Sequence, residues 1–130
     1  MTDLQVPVSP GELLDKITIL RIKSRRMSDA AKVANVRLEL ELLERTWATL
    51  GVATRQVATD EQALQAVNEQ LWDIEDRIRE KEAARSFDQE FIELARAVYH
   101  RNDERAALKK RVNVALGSRI VEEKSYQPYR

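Results

Sequence analysis

Residues 9–27 predict a helix that has apolar residues on more than one side, and this stretch constrains the fold more than any other. Ser9 is suited to the N-cap position, and Pro10 to the first helical position, where its missing N–H costs nothing. Glu12, three residues after the cap, completes a capping box. The start of this helix is therefore marked independently of its apolar pattern.

The apolar residues of this helix do not form a single stripe. At helical spacing one face carries Leu13, Ile17, Leu20, Ser24 and Met27. Ile19 and Ile22 point to the other side, near Asp15, where a surface helix would be polar. The helix is therefore either central in a monomeric bundle or placed at a subunit interface. We expect self-association as a dimer, since two copies would cover this helix and the wide apolar surface of the next one.

A second helix is predicted from Ser28 or Asp29 to about Leu50, where Gly51 is a suitable stop. Residues 51–58 are interpreted as a connector. The apolar residues of this helix alternate three and four apart: Val33, Val36, Leu40, Leu43, Trp47 and Leu50. This spacing favours a helix packed on the first one.

A capping box formed by Thr59 and Gln62 predicts the start of a third helix, which runs to about Ala84. Its core stripe consists of Leu64, Val67, Leu71, Ile74 and Ile78. Trp72 lies beside the stripe and, like Trp47, is interpreted as a core anchor.

The fourth helix is predicted to begin at Ser86 or Asp88 and to end at Leu116, before Gly117. Residues 102–103, Asn-Asp, are either a break with a new N-cap or a polar point in one long helix. The sequence leaves both alternatives open.

These elements predict an all-α fold, an antiparallel bundle of four or five long helices in a single domain over residues 1–130. Residues 1–8 are expected to form an extended arm, with a short edge strand over residues 4–8 as the alternative. Residues 118–130 are expected to form an extended tail.

Composition narrows the functional classes. The chain has 22 Lys+Arg and 22 Asp+Glu residues, so its net charge is zero, and this disfavours a nucleic-acid binder. It has no cysteine, which excludes disulfides, Cys-based zinc sites and thiol nucleophiles. The N-terminus lacks a signal-peptide pattern and no apolar run approaches a membrane span, so we expect a cytoplasmic protein without membrane contact.

Polar residues interrupt the apolar stripes of three helices. The predicted ligand-binding cluster consists of Arg21, Asn68, Glu75, Arg79, Asn102, Arg105 and Lys109. Arginine and lysine would bind a small carboxylate or phosphate ligand, with Glu75 or Glu82 orienting them. The alternatives are a structural ion-pair network or a solvated rim, in which Glu75 and Arg79 form an ordinary pair four residues apart.

Catalytic and metal signals are weak in this sequence. His100 is the only histidine, and without cysteine or a second histidine it predicts neither a metal site nor a catalytic triad. Catalytic residues are therefore unassigned, and no metal or cofactor is expected.

Four motifs resemble an uncharacterised family of small bacterial helical proteins: VPVSPGELLDKITILRIKS, LWDIEDRIREKE, YHRNDERAALKKRVN and LGSRIVEEKSY. The polar positions that the motifs share with the family are Glu12, Asp15, Lys16, Lys23, Glu75, Asp76, Arg79, Asn102, Asp103, Arg105 and Lys109. The resemblance implies no assigned activity, and it implies an association with the assembly of cell-surface polysaccharides.

A second resemblance, to the all-helical chorismate mutases, rests on RRMSDAAKVANVR, with Arg26 and Arg37. Members of that family bind a dicarboxylate among Arg, Lys and Glu side chains from several helices. This chain departs from the pattern because its first helix begins at Ser9-Pro10, where the family would require an earlier arginine.

Three functional classes follow from these observations. The first is a non-catalytic interaction or accessory protein with a protein partner, and we favour it because nothing pairs a nucleophile with a base. The second is a small enzyme or sensor that binds an anionic metabolite in the predicted cluster. The third, a nucleic-acid-associated helical protein, is disfavoured by the neutral charge.

Overall fold

The structure, a computed structural model that describes residues 2–129, confirms the all-α prediction. Its four helices are α1 (Pro10–Arg26), α2 (Ala30–Ala48), α3 (Ala58–Ala83) and α4 (Gln89–Ala115). A 3-10 segment, Gly51–Val57, joins α2 to α3. Residues 2–129 contain no β-strand, so residues 4–8 do not form the alternative edge strand.

The helix α1 occupies the centre of the bundle and packs against α2, α3 and α4. Its start follows the predicted cap, because the Ser9 hydroxyl accepts a hydrogen bond from the backbone N–H of Glu12 at 3.2 Å. Residues on both sides are covered: Ile17 is 0% exposed and Ile22 is 1% exposed. The two-sided apolar pattern is thus explained within one chain, and α1 gives no support to a subunit interface.

The core lies where α1 rests on the other elements. Its buried members are Leu13, Leu14, Ile17, Trp47, Val57, Leu64 and Val112. Each helix of the bundle contributes at least one of these core residues. Contacts between helices, more than the helix propensity of each segment, therefore stabilise the fold. Trp47 is a core anchor as predicted, whereas Trp72 is only partly buried.

The predicted start of α3 was wrong. Thr59 and Gln62 do not form a capping box, because α3 already begins at Ala58 and Val57 takes the N-cap position without a side-chain hydrogen bond. The 3-10 segment runs directly into α3, and the Arg55 carbonyl accepts the N–H of Ala58. Val57 is completely buried, so packing fixes this junction in place of a polar cap.

The helix α4 is continuous through residues 102–103, which settles the alternative that the sequence left open. It begins at Asp88, whose side chain accepts the N–H of Phe91 at 3.1 Å. It ends before Gly117, which has the positive φ of 67° expected of a C-terminal stop.

Together α3 and α4 form an antiparallel hairpin, since Asp60 pairs with Arg111 near its base and Arg77 pairs with Glu90 near its turn. At about 1.5 Å rise per residue these helices are roughly 40 Å long. The helix α1 has 17 residues against 26 and 27 for the two hairpin helices. The hairpin therefore extends beyond the end of α1.

The chain ends lie outside the helices. Residues 2–8 are exposed and have no regular secondary structure. The tail returns along α4, where Glu122 pairs with Lys109 and the Tyr129 hydroxyl donates to Asp103 at 2.5 Å. Met1 and Arg130, the ends of the predicted arm and tail, lie outside the described residues. None of the helices in residues 2–129 combines the length and apolar character that crossing a bilayer requires.

Candidate functional site

The helices α1, α3 and α4 meet around the carboxylate of Asp15, which is 1% exposed. The Arg105 guanidinium grips it with two bonds, Nε to Oδ1 at 2.8 Å and Nη2 to Oδ2 at 2.5 Å. This bidentate geometry is the strongest form of an Arg–carboxylate pair. A buried carboxylate without such a partner would be very costly, so α1 and α4 are locked in one register by this contact.

Asn68 of α3 connects the third helix to the same carboxylate. Its Nδ2 donates to Asp15 Oδ1 at 3.0 Å and lies 2.9 Å from the hydroxyl of Thr18. Thr18 in turn donates to the backbone carbonyl of Asp15 at 2.8 Å. All of these groups are buried and hydrogen-bonded, as a network in a core must be to stabilise the fold.

Lys109 lies one helical turn further along α4 and continues the network toward the N-terminus of α1. Its Nζ is 2.7 Å from Glu12 and 2.9 Å from Glu122, and its side chain is only 12% exposed. The tail residue Glu122 thus neutralises a mostly buried lysine. We call the group formed by Asp15, Thr18, Asn68, Arg105 and Lys109, with Glu12 and Glu122, the Asp15 network.

The backbones of α1 and α4 approach each other closely beside this network. The Gly11 N–H donates to Asn113 Oδ1 at 2.7 Å, and both residues are buried. A Cβ at Gly11 would lie 2.4 Å from the backbone carbonyl of Lys109. Glycine is required here by space, because the position is at the start of a regular helix.

The pKa shifts in the network all favour the charged forms. The hydrogen bonds to Asp15 raise the pKa of Arg105 against the opposing effect of burial. Burial acts to lower the pKa of Lys109, but hydrogen bonds to Glu12 and Glu122 outweigh it and the pKa is raised. The pKa of Glu122 is lowered, chiefly by Lys109. Such shifts are typical of ion pairs, whereas a general acid or base needs a pKa near 7.

A cavity of about 460 Å³ lies between α4 and the tail, next to the network. It is lined by cations, carboxylates and neutral groups, among them Asn102, Asp103, Arg105, Lys109, Glu122 and Lys124. Arg105 and Lys109 already face carboxylates of the same chain. Lys124 lies over the Tyr126 ring, with Nζ 5.6 Å from the centroid. The cavity is therefore close to neutral and offers no concentrated positive charge to an anion.

A second, more apolar groove of about 370 Å³ opens on the other side of Arg105, where the hairpin leaves α1. Its apolar lining consists of Ile19, Ile22, Leu71 and Trp72. Lys23, Glu75, Asp76 and Arg79 line its polar rim. The groove thus combines an apolar floor with a rim that carries charges of both signs.

The structure distributes six of the seven residues of the predicted ligand-binding cluster over two adjacent cavities: Asn68, Glu75, Arg79 and Arg105 line the apolar groove, and Asn102, Arg105 and Lys109 line the other cavity. Asn68, Arg105 and Lys109 do meet in the Asp15 network, while Asn102 lines the neighbouring cavity. Glu75 and Arg79 lie on the rim of the apolar groove, with their charged atoms 3.6 Å apart.

Arg21 does not join the network. It points to a different side of α1 and pairs with Glu61 at 2.8 Å and with Glu44 at 3.5 Å. Its placement near Leu14 and Ile17 in sequence suggested an inward direction, but the rotation of α1 turns it toward the edges of α2 and α3.

The predicted cluster omits the centre of the network. Asp15 is the residue that the other groups surround, yet it belongs only to the polar positions of the family resemblance. The signal that could have identified it is the pair Asp15 and Thr18, one turn apart on the side of α1 that also carries Ile19 and Ile22. A carboxylate on an apolar side requires a buried cation.

No group of three or more His, Asp or Glu side chains in residues 2–129 is arranged to hold a metal ion. The Asp15 network supplies ion pairs and hydrogen bonds between helices, and the apolar groove is open at the surface.

Comparison with known proteins places the chain in a family. A family model described as a family of unknown function, DUF6165, matches residues 4–129. No curated protein and no solved structure shows detectable similarity to the chain. The match spans nearly the whole chain, including all four motifs on which the resemblance was based. The chain belongs to DUF6165, a family of unknown function.

Proposed function

We propose that the protein is a non-catalytic helical interaction protein. The observation that carries this proposal is a contrast between two adjacent sites. In the Asp15 network each cation has a carboxylate partner within the chain. In the apolar groove, by contrast, Trp72 and Leu71 are only partly covered. The first arrangement leaves little for a ligand to bind, and the second leaves apolar surface for a partner.

The alternative, a small enzyme or sensor for an anionic metabolite, has less support. An anion in the cavity beside Arg105 would have to compete with Asp15 for the guanidinium and would face Asp103 and Glu122. Displacing a buried, bidentate carboxylate is costly because Asp15 would then lie unpaired in the core. The resemblance to the chorismate mutases rests on Arg26 and Arg37, and neither residue lines the cavity beside Arg105, so it adds no cation to this site.

Several features of the proposal stay predictions. These are the cytoplasmic location, the bacterial origin, the protein partner and the link to assembly of cell-surface polysaccharides. The contacts within this chain support only the proposed mode of action, which is binding of a partner in the groove at the end of α1.

The test introduces a photo-crosslinking benzoylphenylalanine at Trp72 in cells, with the exposed tail position Tyr126 as the matched control. We expect a protein adduct of defined mass from position 72 only. The adduct protein, identified by mass spectrometry and purified, should bind the wild-type chain, and Trp72→Ala should weaken binding at least about tenfold, as expected for a central aromatic contact.

A thermal-shift screen of phosphates and mono- and dicarboxylates tests the alternative in parallel. Two results together would favour a metabolite-binding function over an interaction function. The first is a saturable rise in melting temperature that Lys124→Ala removes, and the second is the absence of a protein adduct from position 72. Lys124 is suited to this purpose because it lines the cavity outside the Asp15 network.

A further inference from the structure

The hairpin carries apolar residues over its whole length, but only its base is fully covered. The buried hydrophobic residues include Val67 on α3 and Val112 on α4, and none lies between these two positions. The intervening stretch contains large apolar residues, and two of them are about half exposed, Phe87 at 54% and Ile92 at 48%. Half of the hairpin therefore lacks a covering layer.

The cause is the length of α1. This helix rests on the groove between α3 and α4, where Asp15 meets Asn68 and Arg105. It ends at Arg26, whose guanidinium pairs with Glu69 and with Asp73. Past this point no other helix of residues 2–129 packs on the hairpin.

The face on which α1 rests continues beyond its end. Stepping from Asn68 and Arg105 at helical spacing gives the members of this open face, which are Leu71, Trp72, Glu75, Ile78 and Arg79 on α3 and Phe91, Leu94 and Val98 on α4, with Phe87 in the turn. All the helical members except Arg79 are half-buried, as expected if each packs between α3 and α4, and Leu71 and Trp72 also border Ile19 and Ile22 of α1 across the apolar groove. Because α1 packs on the first part of this face, the rest of the face has the geometry on which another helix could pack.

The rim of the open face carries charges of both signs. The side chains of Arg79 and Glu75 are 76% and 46% exposed, and they form a long ion pair, with Arg79 Nη2 3.6 Å from Glu75 Oε2. Asp76 lies beside them on the groove. In a two-fold dimer the same contact occurs twice, once from each copy. With the axis near these residues, Arg79 of each copy would face Glu75 and Asp76 of the other copy. The rim of each copy thus carries the opposite charges that a two-fold contact between copies would pair.

The hairpin is also held rigid before any partner arrives. Lys81 bridges Asp88 at 2.7 Å and Glu90 at 2.9 Å, and Arg77 binds Glu90 at 2.9 Å. These contacts fix α3 against α4 near the turn, so little ordering is required on association.

We propose that the open face is a homodimer interface on which the hairpin of a second copy packs, so that the four hairpin helices form an antiparallel bundle. This inference rests on the proposed function and names the first partner as a copy of the chain. Two two-helix layers with apolar inner faces are the components of a four-helix bundle. The interface would cover Trp72 and Phe87, which the same chain leaves only partly buried.

The experiment measures sedimentation equilibrium of the purified full chain and three variants over a concentration series. Phe87→Glu puts a charge on the open face at a position that is already exposed in the monomer. Ile92→Glu is the matched control, because Ile92 is similarly exposed but lies outside the open face by helical spacing. Leu38→Glu, on α2 at 60% exposure, is a second control. Circular dichroism verifies that each variant is folded.

We expect a dimer of the wild type at micromolar concentration, a dimer dissociation constant at least about tenfold larger for Phe87→Glu, and no change for the two controls. Arg79→Glu should also weaken the dimer, and adding Glu75→Arg should restore it, because the exchange preserves complementarity across the axis. A wild-type chain that stays monomeric, or a dimer that only Leu38→Glu or Ile92→Glu disrupts, would overturn the inference.

The crosslinking at position 72 separates this inference from the proposed function. Adducts between two copies support both. A monomeric chain that forms an adduct with a different protein would overturn the homodimer while the interaction function stands. A monomer with no protein adduct would overturn both.

Discussion

Where α1 lies on the hairpin, Leu14, Ile17, Leu64 and Val112 have no exposed surface, and the one ion pair at their centre is buried. Beyond Arg26 the same two hairpin helices have no buried hydrophobic residue, and they are joined by ion pairs whose carboxylates are about half exposed, although Lys81 itself is buried. We call these regions the base and the tip. The difference shows that one additional helix decides whether an apolar stripe becomes a core or remains a contact surface.

The two regions also use charge differently. In the base, the Asp15 carboxylate is buried and has all its partners from other helices, so it specifies how α1, α3 and α4 fit together. At the tip, Asp88 and Glu90 are largely exposed and pair with residues of the adjoining helix. Exposed pairs contribute little to stability and are screened by salt, whereas removing one member of a buried pair is expensive.

The largest expected effect is loss of the buried carboxylate. Asp15→Ala should lower the free energy of unfolding by about 3–5 kcal/mol, because it leaves Arg105 charged and unpaired against the core. Asp88→Ala at the tip is the comparison, and it should cost about 1 kcal/mol, because it removes the cap of α4 while Lys81 keeps its second partner, Glu90. Urea denaturation followed by circular dichroism gives both values.

A double mutant sharpens this result. Asp15→Ala combined with Arg105→Ala should be less destabilised than the sum of the two single variants, since neither partner is then left alone. Strict additivity, or equal losses for Asp15→Ala and Asp88→Ala, would contradict the distinction between base and tip.

The next prediction concerns the close approach of backbones in the base. Gly11→Ala places a Cβ 2.4 Å from the Lys109 carbonyl and 2.8 Å from Asn113 Oδ1. Overpacking of this kind costs about 1–3 kcal/mol, and the helix propensity of alanine offsets less than about 1 kcal/mol of it at the first turn. Thermal unfolding should therefore show a clear fall in melting temperature. An unchanged or raised melting temperature would mean that α1 and α4 are further apart than described.

The local features of the fold were predictable from sequence because their causes are local. The Ser9 cap, the Asp88 cap and the Gly117 stop each depend on residues within one turn, and the structure has all three at the expected places. The start of α3 was not predictable in this way. Burial of Val57, which depends on distant residues, replaces the capping box there.

The site was only partly predictable for the same reason. Asn68, Arg105 and Lys109 were expected to meet because each interrupts an apolar stripe. Asp15 was missed because its burial depends on a contact with Arg105, 90 residues away in sequence. Arg21 lies apart from the network, paired with Glu61 and Glu44, because periodicity gives the spacing of residues on a helix but not the rotation of that helix against its neighbours.

A smaller effect is expected from acid at the tip. Hydrogen bonds from Lys81 lower the pKa of Asp88 to about 2, and those from Arg77 and Lys81 lower the pKa of Glu90 to about 2. The ordinary pKa values of these two groups are 3.8 and 4.5. Because the folded pKa lies below the unfolded one, these pairs stabilise the tip fully above about pH 5, and the contribution is lost as the pH falls toward 2.

Carboxyl carbon NMR during an acid titration measures both pKa values directly. Lys81→Met should raise the pKa of Asp88 and of Glu90, while the cap from Asp88 to the Phe91 N–H still holds part of the Asp88 shift. Ordinary pKa values for both groups in the wild type would show that the exposed pairs do not form in solution, and the tip would then be looser than described.

The smallest expected change in stability concerns the C-terminal ends of α3 and α4, which have the same hydrogen-bond pattern but a different residue at the position with positive φ. Both α3 and α4 terminate in the same pattern, in which Ser86 N–H bonds the Lys81 carbonyl and Ser118 N–H bonds the Asn113 carbonyl, each at 2.9 Å. The residue with positive φ is Gly117 in α4, at 67°, but Arg85 in α3, at 52°. The tip thus carries a strained arginine where the base carries an unstrained glycine.

Arg85→Gly removes a left-handed strain of about 1–2 kcal/mol, while the added freedom of glycine in the unfolded chain costs about 0.4–1 kcal/mol. The net expectation is a gain of roughly 0.5–1 kcal/mol, with Gly117→Ala giving a loss of similar size at the other end. Amide hydrogen exchange should assign the gain to residues 77–90, because local opening there is independent of the base. If Arg85→Gly instead slowed amide exchange equally throughout the chain, the tip would unfold together with the core. The uncovered part of the hairpin would then not open independently of the part that α1 covers.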